Sequence, residues 1–218
     1  DTEGIIADGA IRSGKTVSMS LSFVMWAMSS FNGQNFAMCG KTIGSFRRNV
    51  LFWLKLMLKS RGYHVEDHRA DNLVVITLGE TENFFYIFGG KDERSQDLIQ
   101  GLTLAGVFFD EVALMPESFV NQATGRCSVD GSKYWFNCNP DNPQHWFKQF
   151  LDSDADIYCQ AYTIDDNPTL PPEFVAQLKK EYAGTVYYNR FILGQWAAAG
   201  GICLLYTSPS PRDVEESR

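Results

Sequence analysis

Residues 9–16 of the chain are Gly9-Ala10-Ile11-Arg12-Ser13-Gly14-Lys15-Thr16, which follow the pattern GxxxxGKT. A strand-like segment, Gly4 to Asp8, precedes them, and the residues after them carry apolar side chains at helical spacing. A strand, a glycine-rich turn and a helix in this order surround a phosphate with backbone amides and a helix N-terminus. An ordinary glycine turn is the alternative, but the flanking strand and helix favour a phosphate-binding loop formed by all eight residues.

Three side chains of this loop are expected to serve a bound nucleotide and its cation. Lys15 reaches the β and γ phosphates, and the Thr16 hydroxyl holds Mg²⁺. Arg12 brings a guanidinium to the loop, where it either meets charge on the transferred phosphoryl group or faces solvent. The chain contains no (N/T)KxD signature of guanine recognition, so ATP is the expected nucleotide.

An acidic pair supplies the second half of the predicted site. Val107-Phe108-Phe109 is an apolar strand that ends in Asp110 and Glu111. Ligands of open α/β sheets bind at the carboxyl ends of the strands. Asp110 is expected to hold Mg²⁺ together with Thr16, and Glu111 to orient or deprotonate the attacking water. In a chain without the phosphate-binding loop, the same residues would be interpreted as an acidic surface turn.

The remaining sequence predicts an α/β fold with a mainly parallel, twisted sheet flanked by helices, as in P-loop NTPases. Short apolar runs alternate with segments of helical periodicity, which is typical of such folds. Two neighbouring runs joined by a polar turn predict an antiparallel hairpin at 73–78 and 84–88. The other strands are expected at 36–39, 103–109 and 134–136, and the helices at 46–61, 116–125, 143–151 and 172–183.

Composition argues against several classes of protein. The length of 218 residues suits one sizeable α/β domain, and the longest apolar run, Met19 to Met28, is too short to cross a bilayer. The five cysteines contain no CxxC pair, which argues against a zinc site and a disulfide framework. We read no secretory signal at the N-terminus, so a cytoplasmic location is expected.

Charge is distributed unevenly along the chain. The net charge is −7, yet residues 9–65 contain eight Lys or Arg and no Asp or Glu. Within that stretch, Arg48, Lys55 and Lys59 are spaced to share one face of the helix predicted at 46–61. We hypothesise that this basic stripe contacts DNA or a neighbouring subunit; a solvated polar face is the alternative.

Taken together, four segments resemble the large terminase subunit, the ATPase that drives DNA into the capsids of tailed phages. The resemblance covers about residues 4–202. It rests on residues 9–16, on Gly101-Leu102-Thr103-Leu104-Ala105-Gly106 with Asp110-Glu111, on Asn139-Pro140 with His145-Trp146, and on Asp165-Asp166-Asn167-Pro168 with Phe191-Ile192-Leu193-Gly194-Gln195-Trp196. The last two are not general features of P-loop proteins, so the combination is more specific than the loop and the acidic pair alone.

The resemblance implies roles for particular residues and partners for the chain. Arg12 is the arginine that these motors carry in the phosphate-binding loop, and Asp110 and Glu111 are their acidic pair. Asn139 lies in the motif that senses the γ-phosphate and couples hydrolysis to DNA movement. From the residues alone, the amides of Asn137 and Asn139 either bond a phosphate or water, or form an Asn-Pro turn. The implied partners are double-stranded DNA, the portal protein, the small terminase subunit and further copies in a ring, in the cytoplasm of an infected bacterium.

The expected organisation has three parts. Residues 1–164 form an ATPase domain shortened at its N-terminus, and residues 165–202 form a linker or helical segment that leads toward a missing nuclease domain. Residues 203–218 are Ser/Pro-rich without apolar periodicity and are interpreted as a disordered, non-native tail. ATP hydrolysis without DNA cleavage is therefore expected. Two alternatives stay open: another ATPase with an acidic pair, such as a helicase, and a fragment that binds nucleotide without turnover.

Overall fold

The computed structural model describes residues 2–91, 97 and 99–199. The strands in these residues are β1 (Gly4–Gly9), β2 (Asn35–Gly40), β3 (His64–His68), β4 (Leu73–Leu78), β5 (Thr81–Gly89), β6 (Gly106–Phe109), β7 (Lys133–Cys138) and β8 (Ile157–Tyr162). The α-helices are α1 (Lys15–Ser30), α2 (Ile43–Phe46), α3 (Phe52–Lys59), α4 (Glu117–Thr124), α5 (Trp146–Leu151) and α6 (Pro172–Tyr182). The chain also contains two π-helical turns (Arg47–Leu51, Tyr188–Ile192) and two 3-10 turns (Val112–Leu114, Ile164–Asp166).

The strands form one sheet in the order β3-β4-β5-β2-β6-β7-β1-β8. The pairs from β5 through to β8 are parallel, and β3, β4 and β5 are joined antiparallel. The mainly parallel α/β fold is therefore confirmed, as is the hairpin formed by β4 and β5. The order places β6, β7 and β1 side by side, so their carboxyl ends lie together at one edge of the sheet.

Each face of the sheet is covered by helices. Adjacent residues of a strand point to opposite faces, and Phe108 and Phe109 accordingly belong to separate cores. On one face α1 and α3 pack on the sheet around Phe23, whose ring lies among several aromatic side chains. On the other face α4 and α5 pack around Phe136 and Phe147. Truncating such a fully buried ring to alanine typically costs about 3–5 kcal/mol, so both cores hold the strand ends firmly in place.

The edge strands β3 and β8 were not predicted. β3 consists of the polar run His64-Val65-Glu66-Asp67-His68, and only Val65 of this strand is buried. β8 has exposed residues at four of its six positions. Edge strands with one neighbour lack the apolar alternation that identifies central strands, which explains why these two gave no sequence signal.

The helix predicted at 46–61 begins earlier and contains an irregular turn. It starts at Ile43, where Thr42 and Ser45 form a reciprocal capping box, and passes through the π-helical turn before α3. The expected basic stripe is interrupted. Lys55 turns to Asp67 of β3 at 2.7 Å, where it shares that carboxylate with Arg47. The outward surface of α3 instead carries three apolar side chains, Phe52, Trp53 and Leu56.

Two further element boundaries differ from the prediction. The helix expected at 143–151 begins only at Trp146, because the preceding residues form a turn in which the His145 amide donates to the Asn142 carbonyl and His145 caps the helix. The strand expected at 103–109 begins at Gly106. The helices predicted at 116–125 and 172–183 are confirmed as α4 and α6, the latter opening with Pro172 in its first turn.

The residues after β8 pack against the phosphate-binding loop. Ile164, Leu178 and Ile192 form a small core together with Ala10 of the loop. Residues on both sides of the domain boundary expected at residue 164 therefore pack in one core. The predicted tail at 203–218 lies outside the described residues. Within the described part of the chain, no helix combines the length and the apolar character needed to span a membrane.

Candidate nucleotide-binding site

The loop between β1 and α1 contains residues with positive φ angles, two of which are glycines. Gly9 has φ of 154°, and a Cβ there would lie 2.1 Å from the Tyr162 carbonyl oxygen. Gly14 has φ of 88° and ends the loop where α1 begins. Arg12 adopts φ of 56°, a left-handed conformation that costs a non-glycine residue about 1–2 kcal/mol. The loop is thus held in one conformation by its neighbours, as a preformed phosphate cradle requires.

Lys15 is buried and turns its ammonium group back onto the loop. Nζ donates to the carbonyl oxygens of Gly9 at 3.0 Å and Ala10 at 2.5 Å, and to Asn139 Oδ1 at 2.9 Å. Burial lowers the pKa of Lys15 to about 8, while nearby anionic groups, Asp8 among them, oppose that shift. The lysine therefore lies at the loop as predicted, and its ammonium bonds neutral oxygens that a phosphate can replace.

Thr16 and Asp110 form an oxygen pair suited to a divalent cation. The Thr16 hydroxyl donates to Asp110 Oδ1 at 3.0 Å, although the two residues are 94 positions apart. Asp110 is 8% exposed, and burial raises its pKa against the opposing effect of its hydrogen bonds. Carboxylate and hydroxyl oxygens are the ligands that Mg²⁺ prefers in nucleotide sites. The residues present thus fit a magnesium ion held between α1 and the end of β6.

Glu111 differs from Asp110 in that its carboxylate makes no hydrogen bond within the described residues. Its backbone is left-handed, with φ 56° and ψ 51°, at the start of the 3-10 turn Val112–Leu114. Burial and then the neighbouring Asp110 carboxylate raise the pKa of Glu111. A partly buried carboxylate with a raised pKa is suited to accept a proton from water.

Two amides lie beside these groups, and the structure separates their contacts. Asn139 contacts Lys15. Asn137, which is 1% exposed, contacts Thr16, Asp110 and the Glu111 backbone. The sequence predicts that these two amides bond a phosphate or water, or form a turn, and it indicates a site role for Asn139 but not for Asn137. Asn137 was therefore missed, although its place at a strand end was the available signal.

Arg12 projects from the loop into solvent. Its guanidinium carbon lies 5.1 Å from the centre of the Phe174 ring of α6, within the range of a cation–π contact. Its carbonyl oxygen accepts a hydrogen bond from Asn167 Nδ2 at 2.6 Å. Within the described residues Arg12 forms no ion pair. The structure thus brings Arg12 to the rim of the site; its role at the transferred phosphoryl group stays a prediction.

Asp8 is a further residue that the sequence did not single out. It is the penultimate residue of β1 and accepts hydrogen bonds from Trp196 Nε1 at 2.7 Å and Cys138 Sγ at 3.3 Å. Burial raises the pKa of Asp8. The indole bond ties the segment after α6 to the strand that carries the loop, and nothing local in the sequence indicates this contact across 188 positions.

A cleft of about 440 Å³ opens over the loop. Such a volume lies in the range of small-ligand sites. Most of the predicted site residues border it together: Ile11, Arg12, Ser13, Gly14, Lys15, Thr16, Glu111 and Asn139, with Val17, Asn137, Asn167 and Leu170. The geometry thus places the phosphate-binding loop, Lys15 and the Glu111 carboxylate around one space. Asp110 does not line the cleft and reaches it through its hydrogen bond with Thr16.

Comparison with known families identifies the same part of the sequence. Residues 6–204 match the family profile described as "Terminase large subunit, T4likevirus-type, N-terminal". No curated protein sequence matched the chain.

Solved structures of similar shape include the large terminase of a thermophilic bacteriophage. In one crystal form it is 62% identical with a TM-score of 0.87, and the match covers 90% of this chain and 49% of the phage protein. Its complex with ATP-gamma-S is 58% identical with a TM-score of 0.84, covering 90% of this chain and 48% of that protein. This chain therefore spans about half the length of the thermophilic-phage terminase.

A more distant structure shares the fold. The ATPase domain of the large terminase of Thermus phage P74-26 is 13% identical, with a TM-score of 0.70 over 90% of this chain and 89% of that domain. At this identity the similarity supports the fold alone.

Proposed function

The chain belongs to the family of large terminase subunits, of which it matches the N-terminal, T4-like type, and on that premise we propose that it is an ATP-hydrolysing motor of viral DNA packaging. The motor would use ATP and Mg²⁺ to move double-stranded DNA into a procapsid. The thermophilic-phage terminase, whose structures include complexes with ADP and with ATP-gamma-S, supports this interpretation because its identity to this chain is about 60%.

One observation carries the proposal: the hydrogen bond between Thr16 and Asp110 at 3.0 Å. It joins the phosphate-binding loop to the acidic strand end, so the two halves of the predicted site meet in the folded chain. Lys15 lies within the same cleft. An acidic surface turn, the alternative considered for Asp110 and Glu111, would leave Asp110 exposed, whereas it is buried at 8% exposure.

The residues of the cleft have distinct tasks in this proposal. Thr16 and Asp110 would hold Mg²⁺, which neutralises charge on the β and γ phosphates. Lys15 would exchange its hydrogen bonds to the Gly9 and Ala10 carbonyl oxygens for bonds to those phosphates. Its bond to Asn139 would then break, so the Asn139 side chain would be free to contact the nucleotide. Glu111 would orient the attacking water and accept its proton, because no other described group occupies its carboxylate. Arg12 would leave Phe174 to meet the transferred phosphoryl group.

The partners of the motor are proposed from the family. They are double-stranded DNA, the portal protein, the small terminase subunit and further copies of the chain in a ring, within the cytoplasm of the infected bacterium. The described residues contain no cluster of three or more His, Cys, Asp or Glu side chains able to hold a metal ion. DNA cleavage is therefore not proposed for the described part of the chain.

Nucleotide binding to Lys15→Ala tests the proposal. The substitution removes the cation that faces the phosphates while the loop backbone stays in place, so affinity for ATP-gamma-S with Mg²⁺ should fall clearly in calorimetry. Lys59→Ala is the matched control, since Lys59 is an exposed lysine at the end of α3. Equal affinities for wild type and Lys15→Ala would rule out the phosphate-binding role of the loop.

A further inference from the structure

We propose that Asn137 is a positioning residue that fixes the Asp110 side chain and the Glu111 backbone relative to the Thr16 hydroxyl. The inference rests on the proposed ATPase function and adds to it a residue that supports the proposed cation site.

Asn137 lies near the carboxyl end of an interior strand of the sheet. It lies on β7 between β6 and β1, and its register partner on β1 is Ala7. Only 1% of its surface is exposed. Neighbouring central-strand residues are apolar, for example Phe136 at 1% exposure. An amide buried among apolar side chains costs several kcal/mol unless its hydrogen-bonding groups find partners, so the contacts of Asn137 explain why a polar residue is tolerated there.

Both ends of the amide are satisfied by residues of the site. Oδ1 accepts a hydrogen bond from the Glu111 backbone N–H at 2.8 Å. Nδ2 donates to Asp110 Oδ1 at 2.8 Å and lies 3.3 Å from Thr16 Oγ1. The orientation of the amide follows from these partners, because a carboxylate accepts and a backbone N–H donates. A side chain with only donors or only acceptors would fail at one end.

The bond to Glu111 acts on a strained backbone. Glu111 has φ of 56°, a conformation that costs a non-glycine residue about 1–3 kcal/mol and persists where surrounding contacts enforce it. Asn137 holds the N–H on one side of this residue, and the Leu114 N–H bonds its carbonyl oxygen at 2.9 Å on the other. This turn directs the side chain of Glu111 toward the cleft. Asn137 thereby influences the general base through its main chain.

The hydrogen bonds of Asn137 to Asp110 and Thr16 act on the two residues proposed to hold Mg²⁺. Asp110 Oδ1 receives both the Thr16 hydroxyl and the Asn137 amide, so one oxygen is anchored from two elements, α1 and β7. Among the described residues, loss of the amide would leave the Thr16 hydroxyl as the one side-chain hydrogen-bond donor to the Asp110 carboxylate. Replacing Asn137 should therefore reduce the gain in nucleotide affinity that Mg²⁺ provides, and should leave phosphate binding by the loop unchanged.

The test compares nucleotide affinity with and without the cation. ATP-gamma-S is titrated into the full chain by calorimetry, once with Mg²⁺ and once with EDTA, for wild type and Asn137→Leu. Asn83→Leu is the matched control: Asn83 is fully buried, its Oδ1 accepts from the Gln34 N–H at 2.9 Å, and its Nδ2 donates to the Phe31 carbonyl oxygen at 2.8 Å. Asn137→Asp, which keeps the size and the acceptor of the amide, replaces Asn137→Leu if the leucine variant does not fold.

We expect Asn137→Leu to bind ATP-gamma-S in EDTA as wild type does and to lose at least about tenfold of the affinity gained with Mg²⁺. Asn137→Asp should show the same pattern, because its carboxylate repels Asp110. The control should lose stability yet keep the full gain from Mg²⁺. A wild-type gain in either Asn137 variant would overturn the positioning role and leave the ATPase proposal intact. A wild-type chain that binds no nucleotide would instead refute the proposed function, and the inference with it.

Discussion

Replacing Gly194 with alanine would place a methyl group against the phosphate-binding loop from outside the nucleotide site. A Cβ at this position would lie 2.3 Å from the Tyr162 carbonyl oxygen and 2.9 Å from both the Ala10 nitrogen and the Gly9 Cα. All three neighbours are backbone atoms, so none can rotate away. The loop or the segment after α6 must therefore shift.

The magnitude follows from two separate costs. Gly194 has φ of 67°, and a left-handed alanine costs about 1–2 kcal/mol. Overpacking against fixed atoms typically adds about 1–3 kcal/mol. Gly184→Ala isolates the first cost, because Gly184 has φ of 76° but no atom within 4 Å of the added Cβ. Gly194→Ala should accordingly lose about 2–5 kcal/mol of unfolding free energy and Gly184→Ala about 1–2 kcal/mol.

Urea denaturation of both variants measures the stability difference, and calorimetry with ATP-gamma-S measures the effect on the site. If displacement of the loop costs about 1.4 kcal/mol of binding free energy, nucleotide affinity falls about tenfold in Gly194→Ala. Gly184→Ala should bind as wild type does. Equal stability losses in the two variants, with unchanged nucleotide affinity in both, would refute the close contact between this segment and the loop.

Two further predictions concern Lys15 and the indole bond. Because burial lowers the pKa of Lys15 from 10.5 to about 8, nucleotide affinity should fall as pH rises above about 8, where the empty site loses the lysine charge. The same shift makes the unfolded chain bind more protons than the folded chain above about pH 8, so the contribution of Lys15 to the free energy of unfolding rises there. Calorimetric titrations at pH 7 to 9.5 measure the fall in affinity, and urea denaturation over the same range measures the rise in stability. A nucleotide affinity that does not change with pH would contradict the phosphate-binding role of Lys15. Trp196→Phe removes the hydrogen bond between the indole and Asp8, and Asp8→Asn weakens it; such a bond to a charged acceptor is worth about 1.5–3 kcal/mol. A double-mutant cycle on melting temperature should show coupling, and strict additivity would exclude the bond.

The sequence predicted those parts of the site that consist of adjacent residues. The loop at 9–16 and the acidic pair Asp110-Glu111 each carry their signal within a few positions, and both lie at strand ends as expected. The central strands were recognisable because two covered faces require apolar side chains at every position, as in β6. Fold and chemistry were thus readable wherever the determining contacts are local.

The missed features depend on contacts between distant positions. Asn137 meets Asp110 across 27 positions, and Trp196 meets Asp8 across 188. The register that joins them arises only when β6, β7 and β1 become neighbours in the sheet. Likewise the ion pair of Lys55 with Asp67 needs β3, an edge strand without an apolar pattern. No spacing rule along the chain encodes these pairs.

Single-turnover hydrolysis of ATP by wild type and Glu111→Gln tests the central claim most directly. The substitution keeps the shape of the side chain and removes its capacity to accept a proton. We expect wild type to hydrolyse ATP with Mg²⁺, and Glu111→Gln to bind ATP-gamma-S with unchanged affinity while its hydrolysis rate falls by about 10² or more. Equal rates in the two proteins would exclude Glu111 from the chemistry. A wild-type chain that binds ATP without hydrolysing it would contradict the motor itself and identify the chain as a nucleotide-binding fragment.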